Sequence, residues 1–80
     1  MTDSLDNAFA ALAAHIRSIS GHGPRYSEIE AAEASFLALK RTLLREIALE
    51  MRAEKKTWKQ VGDTLGGVTY QRAFQIGHGE

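Results

Sequence analysis

The chain of 80 residues contains no cysteine and only one proline. Without cysteine it can form neither a disulfide framework nor a thiolate zinc site, so apolar packing must stabilise the fold. A chain of this length is near the lower limit at which a single core suffices, and it leaves little room for an enclosed active site. We therefore expect one small domain, stabilised in part by packing across a subunit interface.

The sequence also lacks a long apolar run. The longest, Ala8 to Ala14, is too short and too rich in alanine to span a bilayer, and no basic leader or cleavage pattern accompanies it. We expect a cytoplasmic protein with no membrane partner.

Net charge is absent as well, since ten basic residues balance ten acidic ones. Taken alone, this balance argues against a nucleic-acid partner. The charges are nevertheless unevenly distributed. Residues 1–39 carry five acidic and two basic residues, net −3, whereas residues 40–80 carry eight basic and five acidic residues, net +3. The basic half is thus the C-terminal half.

Apolar residues near the N-terminus recur at helical spacing. This spacing predicts a first helix from Ser4 to Ser18, and the glycines at 21 and 23 together with Pro24 predict a break after it. The stripe consists of Leu5, Phe9, Leu12, Ile16 and Ile19.

A second, longer helix is predicted after Ser27, which forms a capping-box pattern with Glu30. No glycine or proline interrupts the sequence from there to Glu54. Such a helix would be about 40 Å long, whereas a compact chain of this size is about 30 Å across. Its apolar residues cover an arc of about 140°, which is too wide for one partner helix. They are Ile29, Phe36, Leu37, Leu43, Leu44, Ile47, Ala48 and Met51.

The excess apolar surface leads us to expect that the first two helices form a hairpin and that a second subunit covers it in a symmetric dimer. The residues expected at this interface are Phe36, Leu37, Leu44, Ile47 and Met51. The same helix carries two lines of charged residues, one acidic and one basic. The acidic line consists of Glu46, Glu50 and Glu54. The basic line, at Arg41, Arg45, Arg52 and Lys56, is either a solvated face or a flank for a DNA backbone.

Two short helices joined by a glycine pair are predicted at the C-terminus. Thr57 and Gln60 form a second capping-box pattern, so the third helix is expected from Trp58 to Leu65. Gly66 and Gly67 stop it, and Thr69 can cap a fourth helix. The small residue Gly62 allows these two helices to approach closely. The pattern is typical of a helix-turn-helix.

The segment "TWKQVGDTLGGVTYQRAFQ" resembles a family of small bacterial helix-turn-helix proteins, common in actinobacteria and their phages, with patterns like "W-x-x-I-G-x-x-L-G-V-S-x-Q-A-A". Gly67 is one residue more than the commonest turn of that family, Arg72 stands where alanine is usual, and Ile76 stands where arginine is frequent. The matching positions are Trp58, Val61, Gly62, Leu65, Gly66, Val68, Thr69, Gln71 and Ala73. The resemblance implies sequence-specific binding to double-stranded DNA, usually as a dimer.

The fourth helix offers side chains that can read base edges, because glutamine can bind an adenine edge at two points and arginine a guanine edge. The residues expected to read bases are Tyr70, Gln71, Arg72 and Gln75, and Phe74 could contact a thymine methyl group. Contacts to phosphates position a protein without specifying sequence. The residues expected to make them are Lys55, Lys56, Thr57, Lys59, Thr69 and Arg52.

Other chemistries find little support in the sequence. The three histidines have no partner at metal-ligand spacing, the glycine pair lacks the lysine of a phosphate-binding loop, and no serine stands in an acid–histidine arrangement. We therefore expect no metal, no cofactor and no catalytic activity. The prediction is an all-α protein, with a helical hairpin and dimerisation region at residues 1–54 and a helix-turn-helix at 55–80. The alternative is a module that binds a protein partner through the same scaffold.

Overall fold

A computed structural model describes residues 2–79 of the chain. Four helices and no strand occur in that range: α1 Thr2–Arg17, α2 His22–Ala53, α3 Trp58–Thr64 and α4 Tyr70–Gly77. The predicted all-α class is confirmed. None of these helices is both long enough and apolar enough to cross a bilayer.

Helix α1 ends close to its predicted terminus. The Ser18 hydroxyl donates a hydrogen bond to the His15 carbonyl at 2.6 Å, and the Ile19 amide donates to the Ile16 carbonyl, which closes the last turn. Gly21 then adopts a φ of +94°, a conformation that favours glycine. Four residues, 18–21, connect the two helices.

Helix α2 begins earlier than predicted. Its first residue is His22, and Ser27 lies inside the helix, so the expected cap at Ser27 is wrong. The Gly21 carbonyl accepts from the Arg25 amide at 3.2 Å. Pro24 falls in the first turn, where a backbone N–H has no partner within the helix and proline therefore costs nothing. The proline that suggested a break instead helps to start the helix.

The C-terminus of α2 is closed by a Schellman motif. The Lys56 amide donates to the Met51 carbonyl at 3.0 Å, and the Lys55 amide donates to the Arg52 carbonyl at 2.9 Å. Lys55 has a φ of +66°, the only positive value at a non-glycine residue among residues 2–79. A position that glycine usually occupies is thus occupied by lysine.

The chain divides into two compact units, one ending at Ser35 and the other starting at Phe36, so the predicted region 1–54 contributes to both. In the second unit Ala48, Val61 and Ala73 are fully buried. Four partly buried side chains pack against them, namely Met51, Trp58, Leu65 and Val68. In the first unit no side chain from Asp3 to Ser35 is buried.

Candidate nucleic-acid interface

The turn between α3 and α4 is held by one carbonyl group. The Gly62 carbonyl accepts hydrogen bonds from the Gly67 amide at 2.9 Å and from the Val68 amide at 3.0 Å. Gly66 and Gly67 have φ values of +88° and +81°. Because two successive residues adopt the left-handed conformation, the turn accommodates the additional glycine noted in the sequence.

Gly62 is the point of closest approach between α3 and the segment that leads into α4. A Cβ atom added there would lie 2.4 Å from the carbonyl oxygen of Val68, a distance that real Cβ atoms do not reach. The expectation that Gly62 is small so that the helices can approach closely is confirmed. The backbone contact fixes where α4 starts relative to α3.

Both short helices have the predicted N-terminal caps. The Thr57 hydroxyl accepts from the Gln60 amide, and the Gln60 side chain accepts from the Thr57 amide at 2.8 Å, which completes the capping box. The Thr69 hydroxyl accepts from the Arg72 amide at 3.2 Å. Each cap satisfies an amide that the helix itself leaves without a partner.

The inward edge of α4 is made of small and apolar residues. Ala73 and Gly77 are buried, and Ile76 is half-buried. A Cβ atom at Gly77 would lie 2.7 Å from the Trp58 ring, so the ring packs directly on the helix backbone. Gly77 is the last residue of α4.

The outward edge of α4 consists of the predicted base-reading residues. All four are exposed, and Tyr70 retains 57% of its surface. They are Tyr70, Gln71, Arg72 and Gln75. The predicted base-reading residues thus lie on the exposed side of this helix.

An aromatic cluster that the sequence did not predict lies at the C-terminal end of α4. Phe74 meets Trp58 edge to face at 5.4 Å and stacks on His78 at 4.0 Å. His78 also contacts the Phe74 carbonyl through Nδ1 at 2.9 Å. Phe74 thus has contacts within the protein besides the thymine contact considered above. Trp58 is partly buried and packs against the core.

The predicted phosphate-contacting residues are all exposed, but they differ in the bonds they already make. Thr57 and Thr69 cap helices. The Arg52 guanidinium donates to the Lys56 carbonyl at 2.7 Å and lies 4.9 Å from the centre of the Trp58 ring. The lysines at 55, 56 and 59 form no ion pair within the described part of the chain. The lysines are therefore the most available of this set.

The charge of this region is positive. Between residues 52 and 79 there are five basic residues and two acidic ones, a net charge of +3. Basic residues near an exposed polar helix edge favour a polyanionic partner.

The residues expected at a dimer interface lie in the second unit. Phe36 and Leu37 are about half exposed, at 50% and 48%, and Ile47 is 38% exposed. Leu44 is half-buried, and Met51 packs against the core of its own chain. The structure contains one chain, so their role in an interface stays a prediction.

No protein-family model matches the chain, and no curated protein or solved structure is significantly similar to it.

Proposed function

We propose that the protein is a sequence-specific regulator that binds double-stranded DNA through a C-terminal helix-turn-helix formed by α3 and α4. One observation carries the proposal: the backbone contact at Gly62 fixes α4 with its small residues inward and its polar residues outward. In a helix-turn-helix, the first helix braces the second, which lies in the major groove.

The outward edge of α4 supplies the chemistry for reading bases. Gln71 and Gln75 can each bind an adenine edge at two points, and Arg72 can bind a guanine edge. Lys55, Lys56 and Lys59 hold neighbouring phosphates. These lysines flank Trp58, which contacts Phe74 near the C-terminal end of α4, and their phosphate contacts would position the helix without specifying sequence.

We infer that the protein acts as a homodimer. In a symmetric dimer the two copies of α4 enter successive major grooves about 34 Å apart, which doubles the contacts of a small domain. The exposed apolar side chains Phe36, Leu37 and Ile47 support this association. We further infer that α1 and the start of α2 form a hairpin, since the His15 ring contacts the Glu28 carboxylate.

The salt dependence of binding tests the proposal. Neutralised phosphates release counterions, so affinity for duplex DNA falls steeply as salt increases. Arg72→Ala should relax preference at one base position at a cost of about 1–3 kcal/mol, whereas Lys56→Ala should weaken binding to all sequences and reduce the salt slope by about 1. If both variants bind every duplex as the parent does, the proposal is refuted.

Hydrodynamic size tests the dimer separately. Leu37→Asp inserts a charge at a half-exposed position and should give folded monomers, with Leu44→Asp as a second variant at a more buried position. Circular dichroism distinguishes monomers from unfolded chains. Sedimentation that is unchanged in both variants would contradict association through this face.

A second candidate function is supported by two exposed aromatic side chains of α4. Tyr70 and Phe74 lie one turn apart and are 57% and 47% exposed, and α2 carries acidic residues at 46, 50 and 54. Exposed aromatic residues are typical of protein interfaces. In this alternative the same scaffold binds a transcription, phage or toxin protein, and its affinity lacks the steep dependence on salt.

A further inference from the structure

A depression of about 310 Å³ lies on the second unit, between α2 and the residues that follow α4. It is lined by Ala38, Arg41, Thr42, Arg45 and Gly79. Arg41 and Arg45 are four residues apart, so their side chains lie on one face of α2. No acidic residue lines the depression within the described part of the chain.

Within the described part of the chain, neither guanidinium group has an acidic partner. Neither Arg41 nor Arg45 forms an ion pair within residues 2–79. Like charges four residues apart on a helix repel each other. An anion between them would remove this repulsion and accept two pairs of charge-assisted hydrogen bonds.

Small residues keep the depression open. Ala38 is short, and the Thr42 hydroxyl donates to the Ala38 carbonyl at 3.2 Å, so this side chain is folded back on its own helix. Gly79 has a φ of +82°, and a Cβ atom there would lie 3.5 Å from a terminal nitrogen of the Arg45 guanidinium. A larger side chain at position 79 would be strained and would occupy space beside the charge.

We propose that Arg41 and Arg45 form a binding site for a phosphate group, separate from the phosphate contacts assigned to the residues around α3. Guanidinium groups match the geometry of phosphate oxygens and bind them at two points. The phosphate belongs either to a DNA backbone that extends past α4 or to a free phosphate ion. The first source rests on the proposed function, and the second does not.

Titration of the full chain with inorganic phosphate at constant ionic strength tests the site. Nuclear magnetic resonance should show saturable shifts of the Arg41 and Arg45 Nε–H signals and of the Gly79 amide, with an affinity on the order of 1 mM. Arg41→Gln and Arg45→Gln should each weaken binding about tenfold. Lys40→Gln removes one positive charge from the neighbouring face of α2 and should leave the affinity unchanged.

Binding to duplex DNA identifies the source of the phosphate. If the backbone supplies it, the double variant Arg41→Gln/Arg45→Gln should lower the salt slope by about 1, since one phosphate contact is lost, and Lys40→Gln should not. An unchanged slope together with saturable binding of inorganic phosphate assigns the site to the free ion. A lowered slope without such saturation assigns it to the DNA backbone.

The two proposals can fail independently. Saturable phosphate binding by a protein that binds no duplex would refute the DNA-binding function and keep the site. Duplex binding that ignores both arginine substitutions, together with phosphate shifts that do not saturate, would refute the site and keep the function. Equal losses in Lys40→Gln and the arginine variants would also refute the site, because only total charge would then matter.

Discussion

The two compact units of the chain, the first ending at Ser35 and the second starting at Phe36, bury their apolar side chains to different degrees. The second unit has a core of Ala48, Val61 and Ala73, whereas in the first unit no side chain from Asp3 to Ser35 is buried. Leu5 and Phe9 on α1 are 59% and 55% exposed. Similar helical patterns in the sequence therefore lead to different degrees of burial.

Close approach of backbone segments, more than apolar content, builds the core of this protein. Gly62 and Gly77 allow a carbonyl oxygen and an indole ring to approach the backbone of α3 and α4. Nothing comparable occurs at Gly23, where an added Cβ atom would have no neighbour within 4 Å. The apolar stripe of α1 gains stability only if another surface covers it, which agrees with the proposed association of two copies.

The largest effect is expected for Gly62→Ala. The new methyl group must displace the Val68 backbone, so we expect a loss of about 3 kcal/mol in the free energy of unfolding, measured by urea denaturation. Gly23→Ala is the matched control and should change stability by less than about 0.5 kcal/mol. Equal losses of stability in the two variants would contradict the view that close backbone approach stabilises the second unit and not the first.

A smaller effect is expected for Val61→Ala, which removes two buried methyl groups and should cost about 2 kcal/mol. Phe9→Ala should cost less than about 1 kcal/mol in dilute solution, because the ring is already half exposed. If a second copy covers α1, the cost of Phe9→Ala should grow with protein concentration. A cost equal to that of Val61→Ala at every concentration would show that the stripe is covered within one chain.

Removal of a helix cap is expected to lower the free energy of unfolding by about 1 kcal/mol. Thr57→Ala and Thr69→Ala each leave an amide at a helix start without its hydroxyl acceptor and should lower stability by about that amount. Thr64→Ala, at an exposed position at the end of α3, is the control. Thermal denaturation of the three variants provides the comparison, and a neutral Thr57→Ala would contradict the capping box.

The smallest effect is a gain. Lys55→Gly relieves the left-handed conformation at the end of α2 and should stabilise the protein by about 0.5–1 kcal/mol, a gain that is already reduced by the greater freedom of glycine in the unfolded chain. Lys55→Ala removes the same charge as Lys55→Gly but keeps the backbone strain. Comparing the two variants therefore separates the effect of the charge from the effect of the strain, both on DNA binding and on stability. A destabilised Lys55→Gly variant would contradict the Schellman geometry.

Local features of the C-terminal region could be predicted from the sequence because each depends on a few adjacent residues. The caps at Thr57 and Thr69 and the turn at Gly66 are of this kind. The start of α2 was predicted wrongly because Pro24 has opposite meanings inside a helix and in its first turn. Whether a proline disrupts a helix or is tolerated in it depends on where the first hydrogen bond of the helix forms.

Other features depend on contacts between residues distant in sequence and could not be predicted. The packing of Trp58 on Gly77 and the position of Arg52 over the same ring join three helices. The apolar stripe of α1 was visible in the sequence, but periodicity shows which side chains share a face and not what covers them. The outward edge of α4 was predicted from its residues, whereas its partner stays a proposal.

The most direct test of DNA reading by α4 is selection of bound duplexes from a random pool at near-physiological salt. We expect the protein to enrich a two-fold symmetric motif, and Arg72→Ala to enrich the same motif with one position in each half-site relaxed. Absence of enrichment, or an identical motif for the parent and Arg72→Ala, would contradict this expectation.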